Sequence, residues 1–175
     1  MKGTRYITRT GLLLALAVLF QTLFRAILPE PTVNVFIVGT LVNAVLLTAT
    51  ASVDIPGGVV VGILTPVIVL LQGHVALIWM VPIIAAGNCI LVIIYGLLAG
   101  KNRYLAFITG SVIKFVFLYF GIRLSFRLIM GIPVPFPASF LYSWPQLVTA
   151  VLGGIVAMGV IRAAGKFLIV NKKEV

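Results

Sequence analysis

Lys114 is the residue around which any chemistry of this chain has to be argued. It lies inside an apolar stretch, roughly 11 residues into a predicted helix, or about 16 Å at 1.5 Å per residue. A charge that deep in a membrane costs at least ~2.5 kcal/mol on insertion scales. The ammonium therefore needs a cavity, a ligand, or polar partners such as Asn88. Two readings are open: a contact to something held in a pocket, or a buried hydrogen-bonded lysine that ties helices together. Ser143-Trp144-Pro145-Gln146 adds a ring that can stack a flat ligand and an amide that can bond its edge, although Trp144 equally suits the aromatic belt of a membrane interface. Asn34, Arg25 and Gln72 complete the candidate binding set. Gln21, Glu30, Arg123, Arg127, Tyr142 and Ser143 fall toward the same end, with Asn43 deeper. Polar groups converging from different helices in an apolar bundle suggest a pocket. Arg123 and Arg127, four apart on one helical face, can instead reach outward to lipid headgroups.

Catalytic sets are missing. A nucleophile with its base, a carboxylate pair or a cluster of metal ligands is what chemistry inside a membrane requires. His74 is the only histidine, and Gln72-Gly73-His74 reads as a loop. Asp54 and Glu30 belong to opposite sides of the expected bundle, and Ser111 lacks the flanking pattern of an intramembrane protease. No Gly-x-x-x-x-Gly-Lys phosphate loop occurs. The expectation is a protein that is not an enzyme and holds neither metal nor cofactor of its own. Cys89, the single cysteine, has no partner for an internal disulfide and reads as a small packing residue.

The composition says what positions these residues. Of 175 residues, 62% are hydrophobic and 9% charged, and the mean hydropathy is +1.24. A soluble domain carries about 25% charged residues, so a water-soluble enzyme, a DNA-binding protein and a disordered linker are set aside. Spanning helices need about 20 apolar residues each. Six such stretches fit, at about 8–28, 33–52, 56–72, 75–99, 103–130 and 140–170, in one domain covering 1–175. The expected fold is an all-α membrane bundle without strands. Asp54 and Pro56 read as a cap and first turn. Pro66, Pro82 and Pro145 read as kinks or segment ends, tolerated where neighbouring helices satisfy the freed carbonyls. The first stretch has the basic start of a signal peptide, but its length, Gln21, Arg25 and the lack of a small-x-small cleavage pattern argue for a helix that stays.

The net charge of +10 is explained by location. Lys2, Arg5, Arg9, Lys101, Arg103, Arg162, Lys166, Lys172 and Lys173 gather at one end, whereas Arg25, Arg123 and Arg127 lie at the other. By the positive-inside rule, both termini are expected in the cytoplasm of a multi-pass protein of the cell membrane, and no nucleic acid is needed to account for the charge. On the first helix, Gly11 and Ala15 lie four apart on one face and admit a close helical neighbour, a pattern also common in ordinary internal packing.

Together, the length, the six stretches, the basic start and Gly11-x-x-x-Ala15 resemble the substrate-binding S component of an energy-coupling factor (ECF) vitamin transporter. The resemblance spans the whole chain. Family members carry Ala-x-x-x-Ala on the first helix against a membrane scaffold subunit; here the first alanine is Gly11. Leu28-Pro29-Glu30-Pro31-Thr32 stands where the family has a lid between its first two helices. The resemblance implies capture of a vitamin or related micronutrient from outside, association with a scaffold transmembrane subunit and two ATP-binding subunits, and ATP with magnesium bound only by those ATPases. Lys114, Arg25 and the Arg123/Arg127 pair against Glu30 lean toward an anionic or carbonyl-rich ligand, with neutral heteroaromatic compounds also open. A non-transporting assembly subunit and a small self-contained carrier are the competing classes.

Overall fold

The computed structural model describes residues 2–28, 30–73, 77–136 and 138–168. They form α1 (Lys2–Ile27), α2 (Pro31–Ser52), α3 (Ile55–Leu71), α4 (Met80–Leu98), α5 (Arg103–Ser125) with a π-helical extension over Phe126–Met130, a short α6 (Ala138–Leu141) and α7 (Trp144–Leu168). No strand occurs among the described residues. Five helical runs are long and apolar enough to cross a membrane, and α3 is a shorter apolar helix of 17 residues. The architecture is that of a multi-pass helical bundle. Pro29, His74 and the tail bases Lys172 and Lys173 lie outside the described residues, as do 75–76 and 169–170 at the edges of two expected stretches.

The helix ends follow from local chemistry. Glu30 caps α2, its carboxylate accepting from the Val33 amide at 2.9 Å, and Pro31 takes the first position, where a missing N–H is harmless. Asp54 caps α3 by accepting from the Ile55 amide at 2.7 Å. It does so at φ 130, a backbone region that only glycine visits freely, at a cost of order 1–3 kcal/mol. Asn102 caps α5 through the amides of Tyr104 and Leu105. Gly131, at φ 67, ends the π-helical extension in the left-handed conformation.

Three boundaries differ from the sequence reading. α1 begins at Lys2, because backbone hydrogen bonds continue through turns that carry polar side chains; Thr8 even returns its hydroxyl proton to the Thr4 carbonyl at 2.9 Å. α4 begins at Met80 after a turn in which the Met80 amide donates to Leu77, and Pro82 then sits in the first helical turn. The last stretch is two helices rather than one. Pro145 has no N–H for the Leu141 carbonyl four residues earlier and suits the first turn of a helix, so the chain breaks at Tyr142 and Ser143 between α6 and α7.

α2 is the central helix. It packs against α1, α3, α4 and α7, and 61% of its most apolar window is buried, against 17% for α1. Leu46 and Leu47 from α2 join Val61, Leu91, Val92, Tyr95, Phe107 and Ala157 in the main core. The approach of α2 to α7 is set by Gly153. A Cβ there would stand 2.6 Å from the Asn43 Cβ, 2.8 Å from the Thr40 carbonyl oxygen and 2.9 Å from the Ala44 amide nitrogen. Two of those neighbours are backbone and cannot move aside. Gly153→Ala is therefore expected to destabilise by about 1–3 kcal/mol, the usual cost of overpacking, lowering the thermal midpoint in detergent. Gly159→Ala on the same helix, where nothing lies within 4 Å, should leave the midpoint unchanged. Equal midpoints for the two variants would refute the close approach.

Candidate functional site

Helix α3 contains Pro66, which has no N–H to donate to the carbonyl four residues earlier. That carbonyl belongs to Gly62. Asn88 on α4 supplies a donor in its place, its Nδ2 lying 3.1 Å from the Gly62 oxygen, and Thr65 Oγ1 donates to the same oxygen at 3.4 Å. The two helices are close at this point: a Cβ on Gly62 would meet the Asn88 Cβ at 3.3 Å. Once Nδ2 is committed to α3, the Asn88 carbonyl faces the other way. Lys114 Nζ on α5 donates to it at 2.8 Å. The same ammonium donates to Asn43 Oδ1 on α2 at 2.6 Å, while Asn43 Nδ2 donates to the Gly39 carbonyl at 2.9 Å. Four helices are tied together by one buried network, in which Asn43, Asn88 and Lys114 are each no more than 5% exposed. Lys114 thus ties helices together, and it also lines a cavity.

That cavity measures about 230 Å³, below the ~300–1,000 Å³ of sites for drug-sized ligands. Lys114, Asn43 and Asn88 face it at mid-bundle, with Thr65, Pro66 and Val69 of α3 alongside. From there it extends toward the end where α1 finishes and α2 and α7 begin, between Gln21 and Arg25 of α1, Asn34 and Val38 of α2, Leu141 and Tyr142 at the α6 break, and Gln146 of α7. The break at Pro145 shapes this end. Gln146 Nε2 donates to the Leu141 carbonyl at 3.0 Å, which holds the short α6 over α7 and leaves the Gln146 carbonyl available. Asn34 plays the same part on the other side, its Nδ2 lying 3.2 Å from the carbonyls of both Phe24 and Leu28 at the end of α1.

Of the residues singled out from the sequence, Lys114, Asn88, Gln146, Asn34 and Arg25 line this one cavity. Trp144 and Gln72 do not. Trp144 is 53% exposed and packs against Phe36 and Phe140 with ring centroids 5.5 and 5.7 Å away, an arrangement suited to an interfacial aromatic belt. The Gln72 amide donates to Thr22 Oγ1 at 2.9 Å and ties α3 to α1. Arg123 stacks on Tyr119 of its own helix, with Cζ 3.5 Å from the ring centroid. Gln21, Asn43 and Tyr142 belong to the lining although the sequence marks them only as polar members of the outer or deeper set. For Asn43 a signal was present, since Asn43, Asn88 and Lys114 occupy similar depths on three helices. Ser111 returns its hydroxyl proton to the Phe107 carbonyl at 2.7 Å, and no group of His, Cys, Asp or Glu able to hold a metal ion occurs among the described residues.

A second concavity lies on the outside of the bundle. Gly11, Leu14, Ala15, Val18, Leu19 and Thr22 of α1, with Ile68 of α3, line a groove of about 500 Å³. Nothing approaches within 4 Å of where a Gly11 Cβ would be. The Gly11 and Ala15 face is thus open to a neighbour outside this chain and is not internal packing.

The fold and site define an all-helical bundle with a small, partly open cavity that several polar side chains line, and an open small-residue groove. No known protein family, curated protein or solved structure matches the chain.

The network makes a quantitative prediction. Lys114→Met and Asn88→Ala each leave buried partners unsatisfied, at a typical cost of about 1–3 kcal/mol per group. Because they break the same interaction, the double variant should fall short of the sum by about 0.5–3 kcal/mol. Additivity within about 0.3 kcal/mol in thermal or denaturant unfolding would show that the two residues are not coupled.

Proposed function

We propose that the chain is the membrane-embedded substrate-binding subunit of an ECF-type importer, which captures a vitamin or related micronutrient from outside for uptake driven by partner ATPases. The observation that carries this reading is the cavity, which polar groups from α1, α2, α3, α4 and α7 line together with the buried Lys114 of α5. Gln21 has no hydrogen-bond partner for its buried amide carbonyl, and the donor and acceptor groups around it face a space large enough for a small molecule. Thr10 and Tyr95 carry buried unpaired hydroxyls away from this space, but among the described residues only Gln21 combines such an atom with a place in the cavity lining.

The groove supports the second half of the reading. Its small residues, Gly11 and Ala15, admit the backbone of another helix to close range, and the face around them carries exposed Ile7, Leu12, Leu19 and Leu23. A scaffold transmembrane subunit fits this surface, joined in turn to two ATP-binding subunits that hold ATP and magnesium. Basic residues at the opposite end from the cavity mouth, among them Arg5, Arg9, Lys101, Arg103 and Arg162, favour a cytoplasmic location for that end. The mouth then faces outside.

Transport further requires that affinity differ between an outward and an inward state. The cavity supplies the outward half of that requirement, and the partner subunits would supply the energy for the other. A mild-detergent pull-down of the tagged chain is expected to recover a membrane scaffold protein with two ATPase chains. Gly11→Leu should abolish that recovery while retaining ligand binding, and Gln146→Ala should weaken ligand binding while retaining recovery. Reproducible isolation without any ATPase would favour a self-contained carrier or an assembly subunit.

A further inference from the structure

Three features of the cavity restrict what can fill it. The first is charge. Lys114 and Arg25 both line it, and no carboxylate does. The acids among the described residues are Glu30 and Asp54, and both are engaged at helix starts. Lys114, 3% exposed, is answered only by two neutral amide oxygens. A buried cation without a counter-charge is costly in a low-dielectric interior, and a bound anion supplies the charge the protein withholds.

The second feature is the count of donors. An ammonium has three N–H groups, and Lys114 uses two on Asn43 and Asn88. One remains for the cavity. Its two oxygens let a carboxylate use that one N–H at mid-bundle while the Arg25 and Tyr142 side chains of the same lining remain as further donors nearer the mouth. The third feature is Gln21. It is 9% exposed, lines the cavity, and its carbonyl oxygen has no donor. A ligand N–H would satisfy it.

From these we infer that the cavity takes a small organic carboxylate that also carries an N–H donor, with its carboxylate on Lys114 and its N–H on Gln21. This rests on the capture role proposed above and names the class of molecule captured. The volume of about 230 Å³ limits the ligand to less than drug size. Cations are repelled from both Lys114 and Arg25, and a neutral amide analogue of the same acid would leave the buried ammonium without its counter-charge.

The test is native mass spectrometry of the full chain purified in mild detergent from the cells that make it, with bound small molecules released and identified. The expected adduct is an N–H-bearing carboxylic acid. Its purified form should rebind to the wild type, and at least ten-fold more weakly to Lys114→Met and to Gln21→Leu. The matched carboxamide of that acid should bind at least ten-fold more weakly to the wild type. Should Lys114→Met fail to fold, Arg25→Gln, at the half-buried mouth, provides the second charge variant and should also weaken the acid more than its amide. A neutral or cationic adduct, or an amide that binds as tightly as its acid, overturns the carboxylate inference and leaves the capture role standing. A phosphorylated ligand likewise overturns the carboxylate assignment alone. Finding no small molecule, or only a phospholipid in the cavity, removes the capture role as well.

Discussion

Pro66 cannot donate to the carbonyl of Gly62, and inside an apolar bundle no water replaces the missing N–H. The remaining polar arrangement follows from how that carbonyl is satisfied. Asn88 reaches across from α4 and donates to it, which turns its own carbonyl toward α5. That oxygen fixes the position of the Lys114 ammonium, and the ammonium in turn orients Asn43 on α2. Gly62 lets α4 come close, since a Cβ there would meet the Asn88 Cβ at 3.3 Å. A backbone defect in one helix thus becomes the reason that three others meet at a defined point, and the cavity opens beside that point.

The helical class and the number of apolar stretches were legible because composition and run length carry them directly. The depth of Lys114 was legible for the same reason, as was its need for a partner such as Asn88. What the sequence did not show was direction. Whether a polar residue at a given depth faces a cavity, a neighbouring helix or lipid depends on the rotation of its helix, and these helices are apolar on nearly every face. Trp144 and Gln146, two residues apart, illustrate this: the tryptophan packs on the outer rim with Phe36 and Phe140, and the glutamine lines the interior. The break at Pro145 was similarly ambiguous, because proline within an apolar stretch is compatible with a kink, a helix start or a full interruption. The carbonyl of Leu141, taken by Gln146, is what makes the interruption stable here.

Helix α1 belongs to both the cavity and the external groove. Gln21 and Arg25 near its end line the cavity, while Gly11, Ala15 and Val18 line the external groove with α3. It is also the least buried of the long helices. Its attachments to the bundle include two specific polar contacts near the cavity mouth, Gln72 to Thr22 and Asn34 to the Phe24 and Leu28 carbonyls. A rigid helix held in this way cannot roll or tilt without displacing groups in both places. In the proposed role, occupation of the groove and occupation of the cavity therefore act on the same element, and any differential contact at one is felt at the other.

The shortness of α3 has a consequence for the lipid around it. Its 17 residues extend about 26 Å at 1.5 Å per residue, less than the roughly 30 Å hydrocarbon thickness of a typical bilayer. The neighbouring run over Arg103–Met130 has 28 residues. The hydrophobic perimeter is therefore uneven in height, and acyl chains beside α3 have to compress to match it. The groove against α1 lies on that compressed side. In the proposed assembly, a helix settling there would replace strained lipid as well as fill space, so elastic relaxation of the membrane would add to the attraction, and a thinner bilayer would weaken that contribution.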